Sequence, residues 1–313
     1  MNDRLYADTP DPGFDSMPEL TGYTEEPTAM YVGCPGKRGY LNLVFEVDDD
    51  GKSIMRHHDR RAPLIVQREL YVDEEMPEMP CVYIISSGGP NVDGDRYIQE
   101  FRLAPGAMAF LTTAAATKLA EMKRNYSGMK QTIILEAGSY LEYLPLPLIP
   151  CKHTRYISDT DIIIDPTASM FYSEIFTPGR KYYKDGELFE YDVLSICSHA
   201  RRPDGEELYR EKFVIKPERG LVRDIGVMGR FDVFGNVIVL TPKDKADEIF
   251  EKTGPVFGKE LACGVSRLPN DSGLIFKVLG MESEPVKKAV REFCSTVRRA
   301  VKGRGLPREF AWR

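Results

Sequence analysis

The chain has 313 residues, of which 42% are hydrophobic and 29% charged, and its formal net charge of −6 disfavours nucleic acid or an anionic membrane as the main partner. No apolar run approaches the roughly 18 residues that a membrane-spanning helix needs, and the acidic, proline-rich start lacks the apolar core of a secretory signal. Because the six cysteines are scattered without paired spacing, they indicate reduced thiols, and we expect a cytoplasmic protein.

The first part of the chain is predicted to be an irregular tail. Residues 1–30 are rich in Pro, Asp, Glu and Gly and show no periodicity. Residues 31–313 are expected to form a single β-rich domain. Its first strand is predicted over residues 41–47, where apolar and polar side chains largely alternate, and an Asp-Asp-Gly turn at 49–51 leads into a second strand.

Short strand-like runs then continue along the chain, separated by turns rich in glycine and proline. They cover residues 81–86, 97–103, 107–113, 131–136, 161–164, 170–176, 189–197, 207–215, 237–240 and 274–279. Strands this short and numerous predict a mainly β, helix-poor fold, in a layered or β-helix-like scaffold rather than a βαβ sheet. No sequence repeat is visible, so a regular solenoid is not required.

Helical character is confined to three segments. A helix is predicted over residues 243–252, after a threonine N-cap and a proline. A C-terminal amphipathic helix is predicted over residues 283–302, with four apolar side chains on one face: Val286, Val290, Phe293 and Val297. This stripe either packs in the core or binds a partner. Residues 114–124 have a helix-like composition but lie between predicted strands.

The sequence contains none of the common catalytic motifs and one residue pair that could be catalytic. The chain has no phosphate-binding loop, no G-x-S-x-G motif and no H-E-x-x-H motif. Cys151 and His153 are two residues apart, so a strand would place both on one face. Such a pair could be a nucleophile with its base, or two soft metal ligands. The alternative is a buried cysteine beside a surface histidine.

Four segments carry a resemblance to a known family. They read SSGGPNVDGD at residues 86–95, LTTAAATK at 111–118, LEYLP at 141–145 and SRLPNDSGL at 266–274. In this order they resemble the UreD family of urease accessory proteins, also called UreH, and the resemblance spans about residues 40–302. The family fold is β-rich and helix-poor, which agrees with the strand pattern.

The resemblance implies a maturation factor and not an enzyme. UreD proteins resemble scaffolds that bind urease apoprotein together with UreF and the GTPase UreG, and pass nickel to the urease active site through a water-filled tunnel. The resemblance therefore implies transient Ni²⁺ and no tightly bound cofactor. A conduit must release its metal, and a tight cage of His and Cys would trap nickel, so no tight metal site is predicted.

Five side chains are candidates for the nickel path: Asp95, Asp93, Glu142, Cys151 and His153. Asp95 is preferred because it matches the family's Gly-Asp pair and follows a glycine-rich turn that could aim its carboxylate inward. The alternative is that Asp95 caps this turn by accepting backbone N–H groups. The chain departs from the family pattern at Leu146, where many members have a polar residue, and at Cys151, where a phenylalanine is expected.

Two other functions remain open from the sequence. A β-rich ligand-binding module, for example for a carbohydrate, is not favoured because Trp312 is the single tryptophan, although tyrosine is plentiful. A cysteine hydrolase would use Cys151 and His153, and it requires an activated thiolate that reacts near neutral pH.

Overall fold

Two β-sheets form the framework of the chain in this computed structural model, which describes residues 9–10, 12–14, 16–25, 35–220 and 222–308. The seven-stranded sheet contains, in spatial order, β14 (Glu207–Ile215), β13 (Val193–Arg201), β11 (Arg155–Ile164), β8 (Ser127–Leu135), β5 (Arg96–Leu103), β1 (Arg38–Val47) and β2 (Ser53–Arg61). The eleven-stranded sheet contains β16 (Val256–Phe257), β17 (Leu261–Arg267), β18 (Gly273–Gly280), β15 (Val233–Leu240), β12 (Ser169–Phe176), β9 (Tyr140–Tyr143), β6 (Met108–Thr113), β4 (Cys81–Ser86) and β3 (Leu64–Val66), with β10 (Leu148–Pro150) and β7 (Thr117–Leu119) at its side.

The central part of the chain winds between the two sheets. From β4 to β13 successive long strands alternate between the sheets, and from β5 onward each pairs in parallel with the strand one winding earlier. Equivalent positions therefore stack, as Leu103, Leu135 and Ile164 do in one sheet and Tyr140 and Ser169 do in the other. This arrangement confirms the predicted mainly β, helix-poor, β-helix-like scaffold.

The main core lies between the sheets. Alternate side chains of β1, including Leu41, Leu43 and Phe45, are fully buried there, as the period-two pattern predicts. Within the segment predicted to be an irregular tail, residues 16–25 contain one 3-10 turn, and Leu20 is buried against the body of the protein. Residues 1–8, 11, 15 and 26–30 of that segment lie outside the described residues.

Helix α2 (Ser283–Lys302) covers the eleven-stranded sheet from outside, together with α1 (Lys243–Lys252). The helix approaches closely at Gly235, where a Cβ atom would lie 3.1 Å from Val286 Cγ1 and 3.2 Å from Val290 Cγ2. The expectation that the apolar stripe binds a partner is corrected here, because all four side chains are buried in the chain's own core: Val286, Val290, Phe293 and Val297. Among the described residues, neither helix is long and apolar enough to cross a membrane.

The prediction of a helix over residues 114–124 is wrong. Thr117–Leu119 forms strand β7 and pairs in parallel with Leu148–Pro150, and the residues around it are irregular. Helix-like composition is a weak preference, and pairing with a neighbouring strand satisfies the backbone instead.

A buried cluster of charges anchors α2 to the sheet. Arg298 is fully buried, forms an ion pair with Asp73, and its Nε lies 3.2 Å from Glu142 Oε1. The Tyr140 hydroxyl donates to the same carboxylate at 2.7 Å. Burial raises the pKa of Glu142 to about 7, while the guanidinium opposes this rise. The cluster thus holds the helix, the loop that carries Asp73 and β9 together.

Removing the guanidinium should destabilise the protein strongly. In Arg298→Met the volume is largely kept but Asp73 and Glu142 lose their buried cation, so we expect a loss of about 3–5 kcal/mol in the free energy of unfolding. Urea unfolding of the full chain measures this change. Arg299→Met is the matched control, because Arg299 is the exposed neighbour on the same helix. Equal effects of the two substitutions would contradict the anchoring role.

Candidate functional site

A cavity of about 350 Å³ lies between the two sheets. The exposed residues in its lining belong to two segments, the end of β4 with the loop that follows it (residues 86–90) and the stretch from β6 into β7 (residues 114–118), so the cavity opens there. Its deeper lining comes from β5, β9, β11 and β12. The strands therefore enclose the cavity, and these two segments surround its opening.

Three of the four segments that carry the family resemblance meet at this cavity. Residues 86–91, 113–118 and 143–146 all contribute to its lining. They come together because β4, β6 and β9 are parallel neighbours, so that their carboxyl ends reach the same edge of the sheet. Leu146, one of the departures from the family pattern, also lines the cavity.

Polar side chains line the interior between the sheets. Gln99 from β5 accepts a hydrogen bond from Gln131 Nε2 at 2.9 Å, and Gln99 faces the cavity. The rings of Tyr143 and Tyr172 stack with their centroids 5.0 Å apart. The Tyr172 hydroxyl donates to Glu174 Oε1 at 3.0 Å. The cavity wall therefore offers amide, phenol and carboxylate oxygens.

Glu174 is the carboxylate of this cavity. Burial raises its pKa to about 7, the hydrogen bond from Tyr172 opposes the rise, and the nearby Glu211 adds to it. The buried Oε2 atom has no hydrogen-bond partner among the described residues. A carboxylate oxygen in this position can take up a proton or bind a cation, since either one relieves the cost of a buried negative charge.

The structure places Asp95 beside the opening and outside the cavity lining. Its side chain is fully buried, and Lys37 Nζ lies 2.8 Å from Oδ2. The backbone N–H groups of Lys37 and Val92 each donate to the carboxylate at 2.9 Å. These are the contacts of the turn-capping alternative. Asp95 also accepts a hydrogen bond from the hydroxyl of Tyr97 at 3.1 Å, and Tyr97 lines the cavity, so Asp95 contacts a residue of the cavity wall without lining the cavity itself.

The other acidic candidates also lie outside the cavity lining. Asp93 accepts hydrogen bonds from the backbone N–H groups of Lys123 at 2.7 Å and Asn125 at 2.9 Å, so it fixes the loop before β8. Glu142 belongs to the buried charge cluster under α2. Contacts within the chain thus give both carboxylates a structural role.

Cys151 and His153 do not form the expected pair. They lie in the turn between β10 and β11, not on a strand, and His153 has a positive φ of 55°. The His153 Nδ1 atom lies 3.1 Å from Asp192 Oδ1. Burial raises the pKa of the Cys151 thiol, which is opposite to the activation that a cysteine nucleophile needs. This geometry gives no support to a cysteine hydrolase.

Glu174 is not among the candidates predicted from the sequence, although the sequence pattern around it could have indicated a buried carboxylate. In the predicted strand 170–176 it is a single carboxylate among mostly apolar and aromatic side chains. Among the described residues, no group of three or more His, Cys, Asp or Glu is arranged to hold a metal ion. The deep part of the cavity is thus lined by one carboxylate with neutral oxygen donors, and the exposed Lys118 lies at the opening.

Comparison with known proteins identifies the family. The profile of the UreD urease accessory protein family matches residues 37–313. The chain belongs to the UreD family. A relative from Brucella suis biovar 1 (strain 1330), named urease accessory protein UreD 2, is 49% identical over 296 residues, or 94% of this chain and 98% of the relative. The urease accessory protein UreD of Yersinia pseudotuberculosis serotype O:1b (strain IP 31758) is 44% identical over 300 residues, or 95% and 93% of the two chains. The matched UreD region includes both sheets and α2.

Neutralising Glu174 should change how stability depends on pH. Because its folded-state pKa is raised, the stability linked to this group is present at low pH and is lost as the pH rises towards about 7. Glu174→Gln removes this loss. We expect the variant to be more stable than the parent by up to roughly 3 kcal/mol at about pH 8.5, with little difference at about pH 4.5.

Urea unfolding at both pH values measures the difference. Glu218→Gln, at an exposed position, serves as the control and should show no such pH-dependent gain. A Glu174→Gln variant with the same stability as the parent at the higher pH would show that Glu174 is not a buried ionised group.

Asp95→Asn tests the structural role of that carboxylate. The substitution leaves the buried Lys37 ammonium without a counter-charge, so we expect a loss of about 3–5 kcal/mol in unfolding free energy. The double variant Asp95→Asn/Lys37→Met should recover part of this loss, because it removes the unpaired charge as well. Thermal or urea unfolding of both variants provides the measurement. Unchanged stability in the single variant would return Asp95 to the nickel-path candidates.

Proposed function

We propose that this chain is a non-catalytic urease maturation factor of the cytoplasm. It binds urease apoprotein together with UreF and the GTPase UreG, and it passes nickel towards the urease active site. Support for the role comes from family membership and from relatives that are named urease accessory proteins. The cavity between the sheets is the proposed route for the metal.

The main support for this route is a carboxylate oxygen of Glu174 inside the cavity that has no hydrogen-bond partner among the described residues. Ni²⁺ is a borderline cation that accepts carboxylate, amide and water oxygens but binds imidazole and thiolate more tightly. The deep wall, with one carboxylate and neutral oxygen donors, attracts the dication without holding it long, while Lys118 lies at the exposed opening. Weak binding is what a transfer path requires, because the metal must leave again.

A proton can exchange for the metal at Glu174. With a pKa of about 7, this carboxyl group carries a proton for a large fraction of the time at neutral pH. A metal ion must displace that proton before it binds, so metal binding and proton release are coupled. Nickel passage is therefore expected to become less efficient as the pH falls below neutral.

Partner binding has a candidate surface other than α2. Most of the large exposed apolar side chains lie on two loops and on the edge strand β16: Tyr182, Tyr183, Leu188, Ile225, Val227, Val256 and Phe257. These three segments contact one another, since Arg230 Nη2 donates to the Gly258 carbonyl at 2.7 Å and Lys181 Nζ lies 2.9 Å from Asp232 Oδ2. A concentration of exposed apolar residues is typical of protein–protein interfaces, and we propose this surface for binding to the maturation complex.

Nickel content of urease tests the proposed route. After co-expression of Glu174→Gln with urease, UreF and UreG, we expect fewer nickel ions per urease active site, because the path loses its negative charge. Binding of the chain to UreF and urease should persist, since Glu174 is internal. Metal analysis of purified urease, with pull-down of the complex in parallel, provides both readings.

Glu218→Gln, which alters an exposed carboxylate, is the control and should load nickel normally. Normal nickel content in Glu174→Gln would remove this residue from the route. Loss of the complex would show that Glu174 acts through structure.

A further inference from the structure

A second carboxylate lies next to Glu174 on the side of the cavity away from the opening. Strands β12, β15 and β18 are neighbours, and in their register Glu174 is opposite Asn236, which is opposite Lys277. Paired residues in adjacent strands share one face of a sheet. The three side chains therefore form a row that leads from the cavity wall towards the edge of the protein.

Glu211, on β14 of the facing sheet, reaches across to this row. Its Oε2 accepts a hydrogen bond from Asn236 Nδ2 at 3.0 Å, and its Oε1 forms an ion pair with Lys277 Nζ. Because the Asn236 amide donates to the opposite sheet, it points into the space between the sheets. Asn236 is 1% exposed, and its Oδ1 has no hydrogen-bond partner among the described residues.

The row also connects the interior with solvent. The Lys277 side chain is 45% exposed and that of Glu211 is 23% exposed, whereas Asn236 is buried. Among the described residues, two buried oxygen atoms, Glu174 Oε2 and Asn236 Oδ1, thus remain unpartnered beside a carboxylate whose counter-ion is a long, half-exposed lysine side chain. Such oxygens are suited to a divalent cation bound weakly.

We propose that Glu174, Asn236 and Glu211 form an all-oxygen site for a divalent cation, and that Lys277 closes this end of the cavity as the competing cation. The inference rests on the proposed function, in which the cavity carries Ni²⁺. A dication at the site takes Glu211 from Lys277, and the long side chain of Lys277 swings to solvent. The cavity then has an exit as well as an opening.

Charge balance favours this exchange. With both carboxylates ionised and Lys277 in place, the group carries one net negative charge. A dication that replaces the ammonium makes the group neutral, which is the cheaper state in a low-dielectric environment. When the metal moves on, Lys277 can return to Glu211 and close the end again.

Ni²⁺ binding to the full-length chain tests the site directly. Equilibrium dialysis at neutral pH gives the affinity, in a His57→Ala/His58→Ala background that removes two exposed imidazoles. Lys277→Met removes the competing cation and should tighten Ni²⁺ binding about tenfold, whereas Glu211→Gln removes a ligand and should weaken it about tenfold. Lys243→Met is the matched control, because Lys243 is an exposed lysine paired with Asp271 at 2.7 Å, and it should change nothing.

The outcomes separate this inference from the proposed function. An affinity that responds to neither Lys277→Met nor Glu211→Gln overturns the site, even if Glu174→Gln lowers the nickel content of urease. Opposite shifts in the two variants support the site, even if urease loads normally in all variants and the proposed route fails. If Lys277→Met does not fold, as judged by circular dichroism, Lys277→Gln is measured instead, with the same expected tightening.

Discussion

The hydroxyl of Tyr172 is the contact on which the arrangement of the cavity depends. It lies 3.1 Å from Thr160 Oγ1 of the facing sheet and donates to Glu174 Oε1 at 3.0 Å. One phenol therefore bridges the two sheets and fixes the carboxylate, while its ring stacks on Tyr143. Polar side chains that meet across the gap need partners or water, so the sheets enclose a polar space here instead of closing on apolar side chains.

The buried carboxylates fall into two groups according to their counter-charges. Asp95 is paired with Lys37, and Glu142 is paired with Arg298, so both are neutralised by cations of the chain itself and hold a loop and a helix in place. Glu174 has no cationic side chain in ion-pair contact among the described residues. A buried acid without a counter-ion is costly to ionise, and this is why it is suited to transient metal binding.

Much of the fold could be predicted from local pattern, while the site could not. The helices over residues 243–252 and 283–302 were predicted with their observed ends, because a proline before the first and an apolar stripe along the second are local signals. The N-cap of the first helix is Pro242, however, and not the predicted threonine, and neither helix has a side-chain capping hydrogen bond. The strand 170–176 was predicted to within one residue. The cavity depends on which strands face each other across the gap, and periodicity does not reveal this. Asp95 fitted the family motif, but the sequence could not show that Lys37 occupies its carboxylate.

Anomalous scattering from Ni²⁺-soaked crystals tests the central claim most directly. The account predicts a nickel peak inside the cavity, within coordination distance of a Glu174 carboxylate oxygen and with neutral oxygen donors or water completing its ligands. The experiment locates the ion itself and so does not depend on loading assays. Nickel peaks confined to surface side chains such as His57 and His58, with none in the cavity, would contradict the account.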